Sequence, residues 1–445
     1  MQFPRSGGHH IPYSLSVLGV GIGLGVISAS YGDYLAGTIW LVVGGVLSFG
    51  SAVLGLAWLA GRSWGLAYVW ILVGCGIGIV CSEPLLAAMQ GLTARTQREQ
   101  LPSIPEFVAN ENAAGRDAVY PVRPNNYYGG SVGTSFGSRL RVEGTEILPL
   151  SGLSLRREVL CFEPQVGMVT YQTDRYGFRN DDAIWDAGQI EVFFVGDSLL
   201  RGTCVANGHS FVDKVRRELP ASLNMGVNGI GPFVQLGILR EYGRIARPRI
   251  VIFTLEVESD LRDDLFTEGR SYILRSYLDR DFTQSLAAKS EPISAALDEF
   301  IAQAAGVTQD EASQRSTLFD FLRFPSFRER ARSFYFQKMR ADYESYAKIM
   351  SVAAREVSSW GGTLYVLYLP VGRFSDLDNS VVTLLSNLDI PVIDINRELR
   401  LRQVVPKAIL GSLDNHYSRE GHAMVGSIVV DRLQTDHPGI FGRRN

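Results

Sequence analysis

Charge is what this chain lacks first, and only at one end. Among residues 1–94 the only Asp, Glu, Lys or Arg side chains are Arg5, Asp33, Arg62 and Glu83. The remainder carries an ordinary density of charge for a water-soluble domain. That division excludes a single soluble domain, and equally a chain embedded in lipid throughout. A net charge of −3 over 445 residues offers no electrostatic reason to expect a nucleic-acid partner. Histidine is scarce, with six in all, and cysteine scarcer, with four. No Cys-x-x-Cys or His-x-x-x-His spacing occurs, so no zinc site is signalled. A Walker-type phosphate loop is missing too, and no cofactor is expected.

Three uncharged stretches fill the apolar end: Ile11–Gly32, Tyr34–Gly61 and Ser63–Ser82. Each has at least 20 residues, the length a helix needs to cross roughly 30 Å of hydrocarbon. One such stretch would suit a cleaved signal peptide; three predict a transmembrane anchor over 1–94, with the lipid bilayer as a partner. Gly19/Gly23, Gly21/Gly25 and Gly74/Gly78 let helix backbones approach closely in lipid. Arg5 and Arg62 favour the cytoplasm and place everything after Glu83 on the far side of a cell (inner) membrane, extracytoplasmic or periplasmic. Arg95 and Arg98 pull the other way. Cys161 and Cys204 are the cysteines left outside the spans. An oxidising compartment would let them pair, although two cysteines in a large domain are more often unpaired packing residues.

Residues 95–188 are rich in Gly, Pro, Asn and Tyr, as in Pro121-Val-Arg-Pro-Asn-Asn-Tyr-Tyr-Gly-Gly130, and predict short strands, turns and a membrane-proximal linker. From 189 to 445 the pattern becomes α/β. Ile190–Val195, Arg249–Leu255, Thr363–Leu369 and Pro391–Ile395 read as buried strands. Ser210–Leu219, Phe233–Ile245, Ala341–Trp360 and Glu420–Leu433 read as helices. Such alternation implies a parallel sheet covered on both faces, with ligands at the carboxyl ends of its strands. A helical insertion is expected at about 265–340. Its aromatic stretches Tyr272–Tyr277 and Phe319–Phe327 suit core packing better than a substrate cap.

Two segments can carry chemistry. The first strand runs into Gly196-Asp197-Ser198; alone, such a serine more often caps a helix or closes a turn, but at the carboxyl edge of a sheet and before a helix it stands where an exposed nucleophile can sit. The second is Asp414-Asn415-His416-Tyr417-Ser418-Arg419-Glu420-Gly421-His422, at the start of the last helix. A serine needs a base, and an Asp two residues before a His can orient its imidazole. Read alone, the same segment also suits a helix cap at Asp414 or Ser418 with His416 on a surface loop. Asp260, Asp263 and Asp264 suit a solvated helix start better than a cation site.

Together with Asn224-Met-Gly226-Val-Asn-Gly229 and Tyr171-Gln-Thr-Asp-Arg-Tyr-Gly-Phe-Arg-Asn180, these motifs stand in a telling order. The chain resembles the SGNH (GDSL-type) hydrolase superfamily, especially its membrane-anchored bacterial members, over roughly residues 171–260 and 361–433. The resemblance implies an SGNH-like α/β fold with a parallel sheet flanked by helices, preceded here by three transmembrane helices. It makes Ser198 the nucleophile, His416 the general base and Asp414 the carboxylate that orients it. The backbone N–H groups of Ser198 and Gly229 would form an oxyanion hole. Where the family's third donor is an asparagine, this chain has Ser259 within Val257-Glu258-Ser259-Asp260. The activity implied is that of a serine esterase or O-acyltransferase acting on an acylated glycan or lipid ester of the cell envelope. The departure at Ser259 leaves open a catalytically weak or inactive binding component of a polysaccharide system.

Overall fold

The computed structural model describes residues 104–129, 135–163, 166–257, 259–314, 341–371, 377–411 and 416–441. The three predicted spans lie outside these residues. Among the described residues, no helix is long and apolar enough to cross a membrane.

Two sheets organise the described region. The smaller joins β1 (Ala118–Val119), β2 (Arg157–Glu163) and β3 (Gly167–Gln172) in that order, β1 parallel to β2 and β2 antiparallel to β3. The larger contains β4 (Val192–Gly196), β5 (Ser222–Gly226), β6 (Ile250–Leu255), β7 (Thr363–Tyr368) and β8 (Val392–Asp394). Its order is β8-β7-β6-β4-β5 and every neighbouring pair is parallel. Val192 pairs with Ser222 on one side and Ile250 on the other, so β4 is an interior strand. The chain winds outward from β4 to β5, then returns to continue on the opposite side. That reversal makes the carboxyl end of β4 the topological switch point, where open α/β sheets form their ligand crevice.

The alternation of side chains along each strand explains the layering. Phe193, Val195, Leu223, Met225, Val251 and Phe253 point to one core, with Val234, Ile349 and Val357 from the helices Pro232–Ile238 and Tyr343–Ser358. Val192, Phe194, Ile250, Ile252 and Leu367 point to the other, with Phe211, Val215, Leu399 and Val425 from Phe211–Arg216, Ile395–Leu401 and Arg419–Asp436. Burying each such side chain contributes about 1.5–3 kcal/mol.

The four strands expected from the sequence are present within a residue or two of their expected ends. β5 was not among them. It is short and carries the polar Ser222 and Asn224, both fully buried, where a strand pattern would place apolar residues. Helical segments occupy 265–268, 272–276 and 290–314. Tyr277 is buried in the core, whereas Phe319–Phe327 lies outside the described residues.

Cys161 of β2 and Cys204, beyond the end of β4, form a disulfide with Cα atoms 5.4 Å apart. The bond staples the small sheet to the loop that follows the switch point. Replacing both cysteines by serine should lower stability by about 2–4 kcal/mol, read as a fall in Tm. An unchanged Tm in oxidised protein would show that the bond bears no strain of the fold.

Candidate active site

β4 leads without a break into Gly196-Asp197-Ser198. A side chain on Gly196 would overlap Thr254 of the neighbouring β6. The Asp197 carboxylate accepts the Leu199 N–H at 3.0 Å and so caps the one-turn helix Ser198–Arg201. That turn is tied sideways to β5. Asn224 Nδ2 donates to the Leu200 carbonyl at 3.0 Å, while Asn224 Oδ1 accepts from the Gly226 N–H at 2.9 Å. A Cβ on Gly226 would run into the backbone of Arg201. Glycine at 226 therefore lets the turn lie directly on the strand.

The segment Tyr171–Asn180 supports this turn from beneath. Asp174 accepts the N–H groups of Tyr176 and Phe178, both at 2.9 Å, together with Asn180 Nδ2 at 2.7 Å and Trp185 Nε1 at 2.8 Å. Asn180 in turn pairs with the Asn224 backbone through both ends of its amide. The buried Arg179 guanidinium donates to the carbonyls of Arg201, Gly202 and Val205 at 3.1, 2.7 and 2.8 Å. Arg201, also buried, pairs with Glu158 and Tyr171 of the small sheet. These residues position the turn.

The structure brings Ser198 and His416 together, with Oγ and Nε2 2.9 Å apart. His416 stands just before the helix Arg419–Asp436, whose N-cap is Ser418, accepting the Gly421 N–H at 3.0 Å. Its carbonyl accepts the Gly411 N–H at 2.7 Å, and a bridge between Leu410 and Tyr417 closes the loop. Asp414 lies outside the described residues. His422, from the same segment, has another role. It is buried, stacks on Phe211 at 5.7 Å between centroids, and accepts the Phe211 N–H on Nδ1 at 3.2 Å. Burial pushes its pKa down to about 3, so it stays neutral.

Gly229 lies three residues beyond β5, exposed, at φ +65°. The side chains of Arg123 and Asn125 stand over it. Among the described residues nothing accepts the backbone N–H of Ser198 or of Gly229. Ser259 is differently disposed. Its N–H and its hydroxyl both donate to Glu256 Oε2, at 2.6 and 2.5 Å, so its one hydroxyl proton is already engaged. Asn228 is linked to the nucleophile turn: its Oδ1 accepts from Thr203 Oγ1 at 3.0 Å, and Thr203 N–H donates to the Ser198 carbonyl at 3.1 Å. That bond orients the Asn228 amide and leaves its NH2 group as a donor. The sequence signal for Glu256 and Thr203 was nil, since neither belongs to a motif.

Behind the nucleophile stands a group of acids. Asp260 is 1% exposed, which overturns the expectation of a solvated helix start there. Its Oδ2 accepts the Glu256 N–H at 2.8 Å, and burial holds its carboxyl well above the usual carboxylate range. Burial likewise raises Asp197 to about 6, Asp264 to about 7 and Glu268 to about 8, with neighbouring carboxylates adding to each shift. Glu268 nonetheless accepts the N–H groups of Gly231, Phe233 and Val234. Among the described residues no group of acids, histidines or cysteines is arranged to hold a metal ion.

No family model matches the sequence, and no curated protein does. Among solved structures, the chain is similar to the lipase/acylhydrolase from Enterococcus faecalis at 12% identity. That alignment spans 55% of this chain and 96% of the other, with a TM-score of 0.31. It is similar to a catalytic mutant of an acetylxylan esterase from Geobacillus stearothermophilus at 11% identity, over 58% and 96%, with a TM-score of 0.30. A two-domain esterase active on acetylated mannans aligns at 12% identity over 59% of this chain and 53% of its own length, with a TM-score of 0.33. At these scores the reading of the site rests on its geometry.

The raised acids make stability depend on pH in a definite direction. A carboxyl that binds its proton more tightly folded than unfolded favours folding at low pH. That contribution is lost as pH climbs from roughly 4 through about 7 for Asp264. Asp264→Asn should therefore match the unaltered protein in Tm below about pH 4 and increasingly exceed it up to about pH 8. A Tm difference that is constant across this range would contradict the assignment.

Proposed function

We propose that this chain is a membrane-anchored serine ester hydrolase or O-acyltransferase of the SGNH type. It would work outside the cytoplasm on an acylated glycan or lipid ester of the envelope. The observation that carries the reading is the 2.9 Å contact between Ser198 Oγ and His416 Nε2, set at the switch point of a parallel sheet. A hydroxyl and an imidazole at this distance form the nucleophile and base pair of acyl transfer. Ser198 Oγ attacks the ester carbonyl as its proton passes to Nε2. The oxyanion that develops is met by the backbone N–H groups of Ser198 and Gly229, and His416 returns the proton to the leaving alcohol. Asp414 would orient the imidazole from its other nitrogen. Water or a second hydroxyl then releases the acyl group from Ser198.

With Ser259 bound to Glu256, the third oxyanion donor is assigned to the Asn228 amide. The Cys161–Cys204 disulfide supports an oxidising compartment, in keeping with the extracytoplasmic placement. The engaged Ser259 hydroxyl also favours a second reading, a weakly active or inactive member that binds envelope polysaccharide.

Fluorophosphonate labelling of membranes separates the two. The enzyme reading expects one labelled serine, abolished by Ser198→Ala and reduced at least about 10³-fold in rate by His416→Ala. Labelling that survives Ser198→Ala, or that never occurs, contradicts it. Asn228→Ala should lower ester turnover on the order of 10²-fold, whereas Ser259→Ala should leave it close to that of the unaltered chain. The reverse ranking would return the donor role to Ser259.

A further inference from the structure

The turn Pro124–Tyr127 is fixed to the protein by what it buries. Val122, Pro124 and Tyr127 are buried, and Tyr127 packs edge-on against Phe300 at 5.2 Å between centroids. The Arg139 N–H donates to the Tyr127 carbonyl at 2.7 Å. Anchoring at 122, 124 and 127 forces Arg123 and Asn125 outward, and both are exposed. They do not point into open solvent at random. From the place where a side chain on Gly229 would begin, Arg123 Nη1 is 3.5 Å away, Arg123 Cδ 3.9 Å and Asn125 Nδ2 3.7 Å. Two sets of N–H donors thus converge on the outer face of the glycine assigned to the oxyanion hole.

Among the described residues Arg123 has no ion pair, and the nearby Glu268 is buried and taken up by the N–H groups of Gly231, Phe233 and Val234. A guanidinium offers five N–H donors in a planar fork that fits a carboxylate through two parallel bonds. Gly229 is itself exposed, so its outer face is open to a ligand.

We propose that Arg123 and Asn125 are substrate-binding residues that take a carboxylate on the alcohol portion of the ester, so that the preferred substrate is an acylated acidic glycan. This assignment rests on Ser198 and His416 being the acyl-transfer pair. It adds what that pair does not supply, a reason to distinguish an anionic substrate from a neutral one of the same shape. Arg123 would hold the carboxylate and Asn125 a neighbouring oxygen, fixing the ester carbonyl beside the Gly229 N–H.

The test uses the full-length protein in detergent or native membranes, with 2-, 3- and 4-acetoxybenzoate and their neutral methyl esters as substrates. The ratio of kcat/KM for each acid to that for its methyl ester measures the preference. At least one isomer should favour the acid, and Arg123→Gln should lower that ratio about tenfold or more, chiefly through KM. Arg123→Lys should restore part of it, and Asn125→Ala should lower kcat/KM for both forms. A ratio that shows no preference, or one untouched by Arg123→Gln while Ser198→Ala abolishes turnover, overturns the carboxylate site alone. Turnover that survives Ser198→Ala overturns the acyl-transfer reading and this proposal with it.

Discussion

The side-chain amide of Asn224 holds the site together. One end of it grips the carbonyl of Leu200 in the nucleophile turn and the other grips the N–H of Gly226 on its own strand. The strand can come so close because residue 226 has no side chain to strike Arg201. Ser198 is therefore placed by hydrogen bonds and contact with a central sheet, and not by the conformational preference of a four-residue helix. Removing the amide would deprive the Leu200 carbonyl of the turn and the Gly226 N–H of the strand of this partner, a cost of about 1–3 kcal/mol for each group left unpaired.

The same turn is clamped from below by polar groups that are themselves nearly inaccessible. Arg179 and Arg201 are 6% and 2% exposed, and between them they satisfy three carbonyls, a carboxylate and a phenol. A network of this kind is costly to leave partly satisfied, which favours one arrangement over its neighbours. The Cys161–Cys204 disulfide joins the same two regions covalently. The acids on the far side act in the opposite sense. Burial and neighbouring carboxylates raise Asp197, Asp260, Asp264 and Glu268, so the nucleophile turn is framed by rigid pairing on one flank and by proton-binding acids on the other.

Much of the fold was legible because the strands of a two-sided parallel sheet must be apolar throughout. Val192–Gly196, Ile250–Leu255 and Thr363–Tyr368 have that character in the bare sequence. Ser222–Gly226 does not, since its Asn224 is buried for hydrogen bonding and not for packing. The pairing of Ser198 with the terminal segment was also legible, through motif order. The choice of His416 as its partner was legible in the same way, through Asp414-x-His416, whereas the packing role of His422 against Phe211 was not. Least legible were contacts between distant segments with no shared motif. The engagement of Ser259 by Glu256 depends on a local turn, and the approach of Arg123 to Gly229 depends on how residues 122–127 dock. No pattern along the chain announces either.

The most direct measurement is the mass of the peptide containing Ser198, taken from protein quenched in acid during turnover of an acetyl ester. An acyl-enzyme at Ser198 predicts that peptide carrying one acetyl group, the amount falling in proportion when His416 is replaced by alanine. Steady turnover with the acetyl group on another residue, or with none at all under conditions that slow deacylation, would contradict it.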